Sequence, residues 1–443
     1  MTAPPEPGSR TLAWLLFAAS IALLMLLSAS SLELLGIPYE APFGPIWAKL
    51  HPGSYLLGLA WFVALVSHGN PVGALIAQLR RNRLLTVYLV CMVLVFCWAI
   101  YRHGTSGAAY IIQTLWMPAV AAFTLELLGV RRHRQIMVLV MLIMAVNSVV
   151  AIGEYALKDR LLPITSDRSL EDFFRPWALL GHPLLNAKLT MTLLPLVTLL
   201  PWPRGLRFGL VLLMFTAALA FGGRSALLLG SLVYGTALLL HVANKTVRGG
   251  FTYLELTGGS LALLFGASVL AVVVATTGLG DRIFGNLVWD NSANVRAEVW
   301  HAFEYLNGAD WWIGIAPAQI DKIAVAMGLD PKFEAIENFW IYMYLQFGAI
   351  GYLPFIVGLL CLIALMLRTS TPAMRAAVIT YFVVASTANS LATKSMSLTL
   401  LTLLSIGSVA LVRSVRPARP ALAATRREPA ASRFGTAGLQ GAR

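Results

Sequence analysis

The chain is 443 residues long, 58% hydrophobic and only 12% charged, with a formal net charge of +13. A soluble domain carries about twice that share of charge, so composition excludes a soluble enzyme or binding domain and makes lipid the solvent of the fold. The positive charge is divided among short loops and the C-terminal tail and forms no single basic face, so nucleic acid is not an expected partner.

Arg10, the apolar run that follows it and Ser28-Ala29-Ser30 have the outline of a cleaved signal peptide. The many apolar stretches downstream favour an uncleaved first helix. A helix that crosses a bilayer needs about 20 mostly apolar residues. Such stretches fall near 11–29, 54–68, 84–101, 108–130, 135–153, 187–201, 206–222, 224–242, 256–278, 350–367, 376–393 and 396–412. The expected fold class is therefore an all-α integral membrane protein of about 12 transmembrane helices. A short apolar helix over 339–347 should lead into the tenth span, broken at Gly348 and Gly351. Cys91, Cys97 and Cys361 all lie in apolar runs and imply neither a disulfide framework nor a zinc site.

Lysine and arginine in short loops set orientation. With the N-terminus inside, Arg80, Arg81 and Arg83, then Arg131, Arg132 and Arg134, then Arg204 and Arg207, Lys245 and Arg248, and Arg368 and Arg375 all fall on the cytoplasmic side. All acidic residues except Glu6, Glu126, Glu255 and Glu428 fall outside. Both termini are then cytoplasmic and two long segments, 154–186 and 279–337, lie on the opposite face. Segments of that length in a compact protein are usually functional. The second should contain a helix over 295–306, followed by Trp311-Trp312 at the membrane interface. Residues 1–413 form the polytopic domain. Residues 414–443, rich in Ala, Arg and Pro, read as a disordered basic cytoplasmic tail lying along anionic membrane lipids.

Charge within the spans is sparse, with Glu126 as the main exception, and it gathers at the outer ends. Gly222-Gly223 makes an outer turn, and Arg224 opens the next helix. An arginine beside free helix N–H groups suits a phosphate; the alternative is an arginine reaching for headgroups. Arg175, in Phe173-Phe174-Arg175-Pro176-Trp177, is either an interfacial anchor or part of a site that stacks sugars and holds phosphate. His182 reads as a capping or structural residue rather than a base. Arg296 and Trp300, four apart, share a helical face, either resting on the membrane or supplying a second cationic contact. Glu337-Asn338 precedes an apolar helix and is either a cap or, at Glu337, a general base. There is no phosphate-binding loop, dinucleotide fingerprint or metalloprotease motif, and Glu334 with Glu337 is a weak metal pair. Neither a metal nor a cofactor is expected.

Taken together, Arg175 with His182-Pro183-Leu184-Leu185-Asn186, Gly223-Arg224-Ser225-Ala226, Arg296 with Trp300, Trp312-Ile313-Gly314-Ile315, Glu337-Asn338-Phe339-Trp340 and Phe347-Gly348-Ala349-Ile350-Gly351 resemble the bacterial O-antigen ligase and polymerase superfamily. The resemblance covers residues 175–367. It implies a twelve-helix GT-C-like fold in the bacterial inner membrane, with a large, partly helical periplasmic loop. It also implies a glycosyltransferase whose donor is an undecaprenyl-pyrophosphate-linked oligosaccharide and whose acceptor is a glycan hydroxyl. Arg224 and Arg296, with Arg175, would bind the pyrophosphate; Trp300, Asn338 and His182 would line the substrate site; Glu337 would act on the acceptor. Ligases of this superfamily usually carry histidine before the asparagine, where this chain has Glu337. That departure favours polymerisation of exopolysaccharide or O-antigen repeat units over ligation to lipid A core. A non-enzymatic polysaccharide or lipid transporter is the reading from another class; it would favour broken helices and polar residues at mid-membrane.

Overall fold

The computed structural model describes residues 7–40, 45–105, 108–162, 174–247, 250, 298–328, 336–388 and 390–415. Among these residues there is no strand, and apolar helices dominate. The principal ones are α1 (Pro7–Leu26), α2 (Ala29–Leu34), α3 (Pro52–Val66), α4 (Pro71–Arg81), α5 (Arg83–His103), α6 (Ala108–Leu128) and α7 (Val130–Leu157). They continue with α8 (Pro183–Leu193), α9 (Arg204–Phe221), α10 (Arg224–Val247), α11 (Pro317–Ala326), α12 (Phe339–Arg368), α13 (Pro372–Ala385) and α14 (Ser397–Val415). Six of them, α5, α6, α7, α9, α10 and α12, are long and apolar enough to cross a membrane. That makes the chain a multi-pass helical membrane protein. The expected span at 256–278 and the tail from residue 416 lie outside the described residues.

Local sequence explains where the helices begin. Helices α3, α4, α8, α11 and α13 each open on a proline, whose missing N–H would be unpaired at that position anyway. His51, Asn70, His182 and Thr371 stand just before four of them and accept a backbone N–H of the first turn. The stretch expected as a loop after the second span is instead α4, bent by 107° from α3 at Gly69-Asn70-Pro71.

Packing joins α1 to α3, α5 to α12, and α7 to both α9 and α14. Phe17, Tyr88, Phe123, Phe221 and Phe355 are fully buried in one continuous core. Outward, α5 exposes Val87, Val90 and Leu94, and α12 exposes Ile350, Leu353 and Leu360. Exposed apolar stripes of this kind suit contact with lipid tails. At one end of the bundle Glu126 accepts hydrogen bonds from Arg81 (2.9 Å) and Asn82 (2.5 Å), so an acid in a basic neighbourhood is paired.

The large segment before α12 is clamped at two glycines. A Cβ on Gly314 would come within 2.3 Å of the Gln346 carbonyl oxygen, and one on Gly348 within 2.4 Å of the Gly314 nitrogen. Both have positive φ, +75° and +58°. Side chains are excluded on both counts. The Ile315 N–H donates to the Leu345 carbonyl at 2.8 Å, and His103 Nε2 lies 2.8 Å from the Gln346 carbonyl oxygen. The break expected at Gly348 and Gly351 therefore falls at Gly348 alone, and α12 continues through Gly351.

The helix expected over 295–306 is corrected within its described part: Val299–Tyr305 winds as a 3-10 helix. Three residues per turn eclipses positions i and i+3, so Trp300 meets Phe303, with ring centroids 6.2 Å apart. Arg296 lies outside the described residues.

Candidate functional site

Four helix ends meet at one end of the bundle, and His182, Arg224, Glu337 and Asn338 sit on or beside them. α8 packs against α9, α10 and α13, and α10 packs against α13. A Cβ on Gly223 would lie 2.5 Å from that of Ala187, which sets the start of α10 directly against the start of α8. Ser225, the second residue of α10, receives a 3.5 Å hydrogen bond from Thr387 just past α13. The Phe339 N–H donates to the Ala388 carbonyl (3.2 Å), and Trp340 Nε1 to Ser386 Oγ (2.8 Å). The starts of α8, α10 and α12 and the end of α13 are thus linked by direct contacts. Arg224 opens α10 and Glu337 stands just before α12; both are half-buried.

The first long segment reaches the same place through a buried polar frame. Glu154, near the end of α7 and 5% exposed, accepts three backbone N–H groups: Leu161 (2.9 Å), Trp177 (2.8 Å) and Ala178 (2.9 Å). Asn147 accepts from the Leu179 N–H (3.0 Å) and donates to Asn186 Oδ1 (2.8 Å). Asn186 in turn donates to the Trp177 (2.7 Å) and His182 (3.1 Å) carbonyls. A buried carboxylate and two amides matched in this way fix the return of the chain into α8.

Arg175 is held inside this frame. It is 7% exposed, and its Nε donates to the Phe221 carbonyl at 3.2 Å, one of the carbonyls left open at the end of α9. Arg160 donates to the Arg175 carbonyl (3.2 Å) and lies over the Phe174 and Trp177 rings. Arg175 therefore fastens the turn that presents Arg224.

His182 is a cap, as expected: its Nδ1 accepts the Leu184 N–H at 3.2 Å. At α12 the capping residue is Asn338, whose Oδ1 accepts from the Trp340 (3.0 Å) and Ile341 (3.3 Å) N–H groups. That engages the Asn338 carbonyl oxygen and leaves the N-cap position to Asn338 rather than Glu337. Trp300 is 61% exposed and belongs with a different group of rings. Phe303, Trp311 and Tyr344 pack on one another, and Trp311, Trp312 and Tyr344 line an open cleft of about 330 Å³.

Two lysines escaped the sequence reading. Lys188, inside the expected span 187–201, is only 4% exposed, with its ammonium 5.1 Å from the Tyr381 ring centroid. The expectation that Glu126 is the main charge within the spans is corrected by it. Lys394, in the turn between α13 and α14, donates to the Tyr39 carbonyl and lies over the Tyr39 ring. Burial lowers its affinity for a proton, while Glu40 and Glu33 nearby act the other way. Among the described residues no group of three or more His, Cys, Asp or Glu side chains is placed to hold a metal.

No protein-family model matches the chain, and no curated protein matches it. The functional reading therefore stands on the residues themselves.

Proposed function

We propose that the chain is an inverting, metal-independent glycosyltransferase of the O-antigen polymerase type, folded as a GT-C-like bundle of about 12 spans in the bacterial inner membrane. It joins repeat units carried on undecaprenyl pyrophosphate at the periplasmic face. The observation that carries this reading is the junction at which Arg224, at the N-terminus of α10, and Glu337, just before α12, lie on helix ends joined through Ser225, Thr387 and Ala388. A cation at a helix N-terminus favours a diphosphate, and a carboxylate set just before a neighbouring helix favours a hydroxyl.

In this reading Arg224 and Arg296 neutralise the diphosphate of the donor. Glu337 takes the proton of the acceptor hydroxyl as its oxygen attacks the anomeric carbon. The bond from that carbon to the phosphate oxygen breaks on the opposite face, with inversion, and undecaprenyl pyrophosphate leaves with the bonding electrons. Arg175, engaged with the Phe221 carbonyl, positions the Gly222-Gly223 turn.

Ligation to lipid A core is the nearest rival, and Glu337 in place of histidine speaks against it. A glycan gel from a deletion strain separates the two. Single repeats without chain length mean a polymerase; intact polymer missing from lipid A means a ligase. Unchanged glycans on both counts would refute the proposal.

A further inference from the structure

Helix α8 carries a run of polar groups into the centre of the bundle that the structural frame above does not use. Lys188, Thr190 and Thr192 are all buried, at 4%, 0% and 0% exposure. Lys188 makes no hydrogen bond or ion pair within the described residues, and its one contact of note is the face of Tyr381. The Thr190 and Thr192 hydroxyls are likewise buried without a hydrogen-bond partner among the described residues. Lys188 and Thr192 are four apart and therefore stand on one face of the helix.

A buried ammonium without a counter-charge is costly, and a ring face offsets only part of that cost. Ionisable groups inside membrane proteins are rare and commonly mark substrate or ion pathways. An ammonium and hydroxyls offer donors, which suit an anion rich in acceptor oxygens.

The contacts of α8 place Lys188 relative to Arg224. Ala187 touches Gly223 and Met191 touches Gly230, so α8 and α10 run side by side in the same direction. Lys188 is thus level with the first turn of α10, where Arg224 stands. Its ammonium reaches toward Tyr381, which is five residues before the α13 cap residue Ser386, or roughly 8 Å farther into the bundle. The Lys188 ammonium therefore lies deeper in the bundle than the start of α10.

We propose that Lys188 is a second binding cation for the donor, taking the phosphate nearest the polyprenyl chain while Arg224 takes the phosphate nearest the sugar. This rests on the reading of the donor as a polyprenyl diphosphate. It adds an internal site for the lipid-proximal phosphate, with Thr192 on the same helical face as a further donor.

The test is binding of undecaprenyl pyrophosphate and undecaprenyl monophosphate to the full-length protein in lipid nanodiscs, with free inorganic pyrophosphate as competitor. Lys188→Met keeps chain length and places an apolar group in an apolar bundle. It should weaken both lipids by at least ~10-fold, the size of one charge-assisted contact. Arg224→Ala should weaken the pyrophosphate lipid by a similar factor and leave the monophosphate lipid within about 2-fold. Lys188→Arg, which retains the charge, should bind both lipids within about 3-fold of the parent. Free pyrophosphate should compete poorly, because it lacks the chain that carries phosphate to this depth. Parental affinity of Lys188→Met for both lipids would overturn the inference and leave the donor reading standing. So would an Lys188→Arg protein that accumulates normally yet binds as weakly as Lys188→Met, or efficient competition by free pyrophosphate. A parent protein that binds neither lipid would overturn the donor reading and the inference with it.

Discussion

Gly223 and Ala187 meet so closely that a Cβ on the glycine would stand 2.5 Å from that of the alanine. This contact sets the start of α10 against the start of α8 and so positions Arg224 beside the Asn147–Asn186 frame. Gly223→Ala should overpack the junction and lower stability by about 1–3 kcal/mol. Ala187→Gly in the same chain should restore most of the loss. Thermal unfolding of the two single variants and the double variant checks it, since a strong coupling is expected only for residues in contact.

If the proposed reading holds, Arg224→Ala and Arg296→Ala should each cut polymer formation by at least ~10²-fold while the protein accumulates in the membrane, because in that reading each removes a charge-assisted contact to a desolvated phosphate. Lysine should rescue either position poorly, since it lacks the planar fork. Glycan gels with membrane immunoblots read both quantities. Normal polymer from both alanine variants would make these arginines headgroup anchors.

Glu154 is predicted to be structural. It accepts three backbone N–H groups while 5% exposed, so Glu154→Ala leaves the buried Trp177 and Ala178 donors open, with the part-buried Leu161 donor beside them. Each costs about 1–3 kcal/mol, enough to release the 174–186 segment and, with it, Arg175. The variant should unfold at a clearly lower temperature and lose activity in parallel. Lost activity with parental stability would instead place Glu154 in the chemistry.

Glu337→Gln separates a base from a cap. Asn338 already fills the N-cap of α12, so removing the charge at Glu337 should leave folding within about 1 kcal/mol of the parent. Loss of a base should slow polymerisation by roughly 10²–10⁴ with donor binding retained. Parental rates would assign activation of the acceptor to another group.

The helix ends are legible in the sequence because proline and glycine punctuate them. Gly222 marks a boundary that the fold respects, whereas α8 and α13 open at Pro183 and Pro372, ahead of the spans expected from 187 and 376. The bent helix α4 is not legible, because its eleven residues, Pro71–Arg81, are too short for a span and look like a loop. Lys188 escapes for a different reason: a lysine in the second position of an expected span ordinarily reaches outward to water. Only the packing of α8 on α10 and α13 turns it inward. Glu154 and Asn147 look like ordinary polar residues of a helix, and their role appears only when the backbone of 177–179 is seen to come back to them. The pairing of Gly314 with Gly348 is similarly invisible, since nothing local links residues so far apart in the chain.

The most direct measurement is polymerisation by the purified full-length protein, given undecaprenyl-pyrophosphate-linked repeat units and no divalent metal. The account predicts lipid-linked chains longer than one repeat, one undecaprenyl pyrophosphate released per new bond, and an inverted anomeric centre at each linkage. Intact donor after prolonged incubation, or products with the donor's own anomeric configuration, would contradict it.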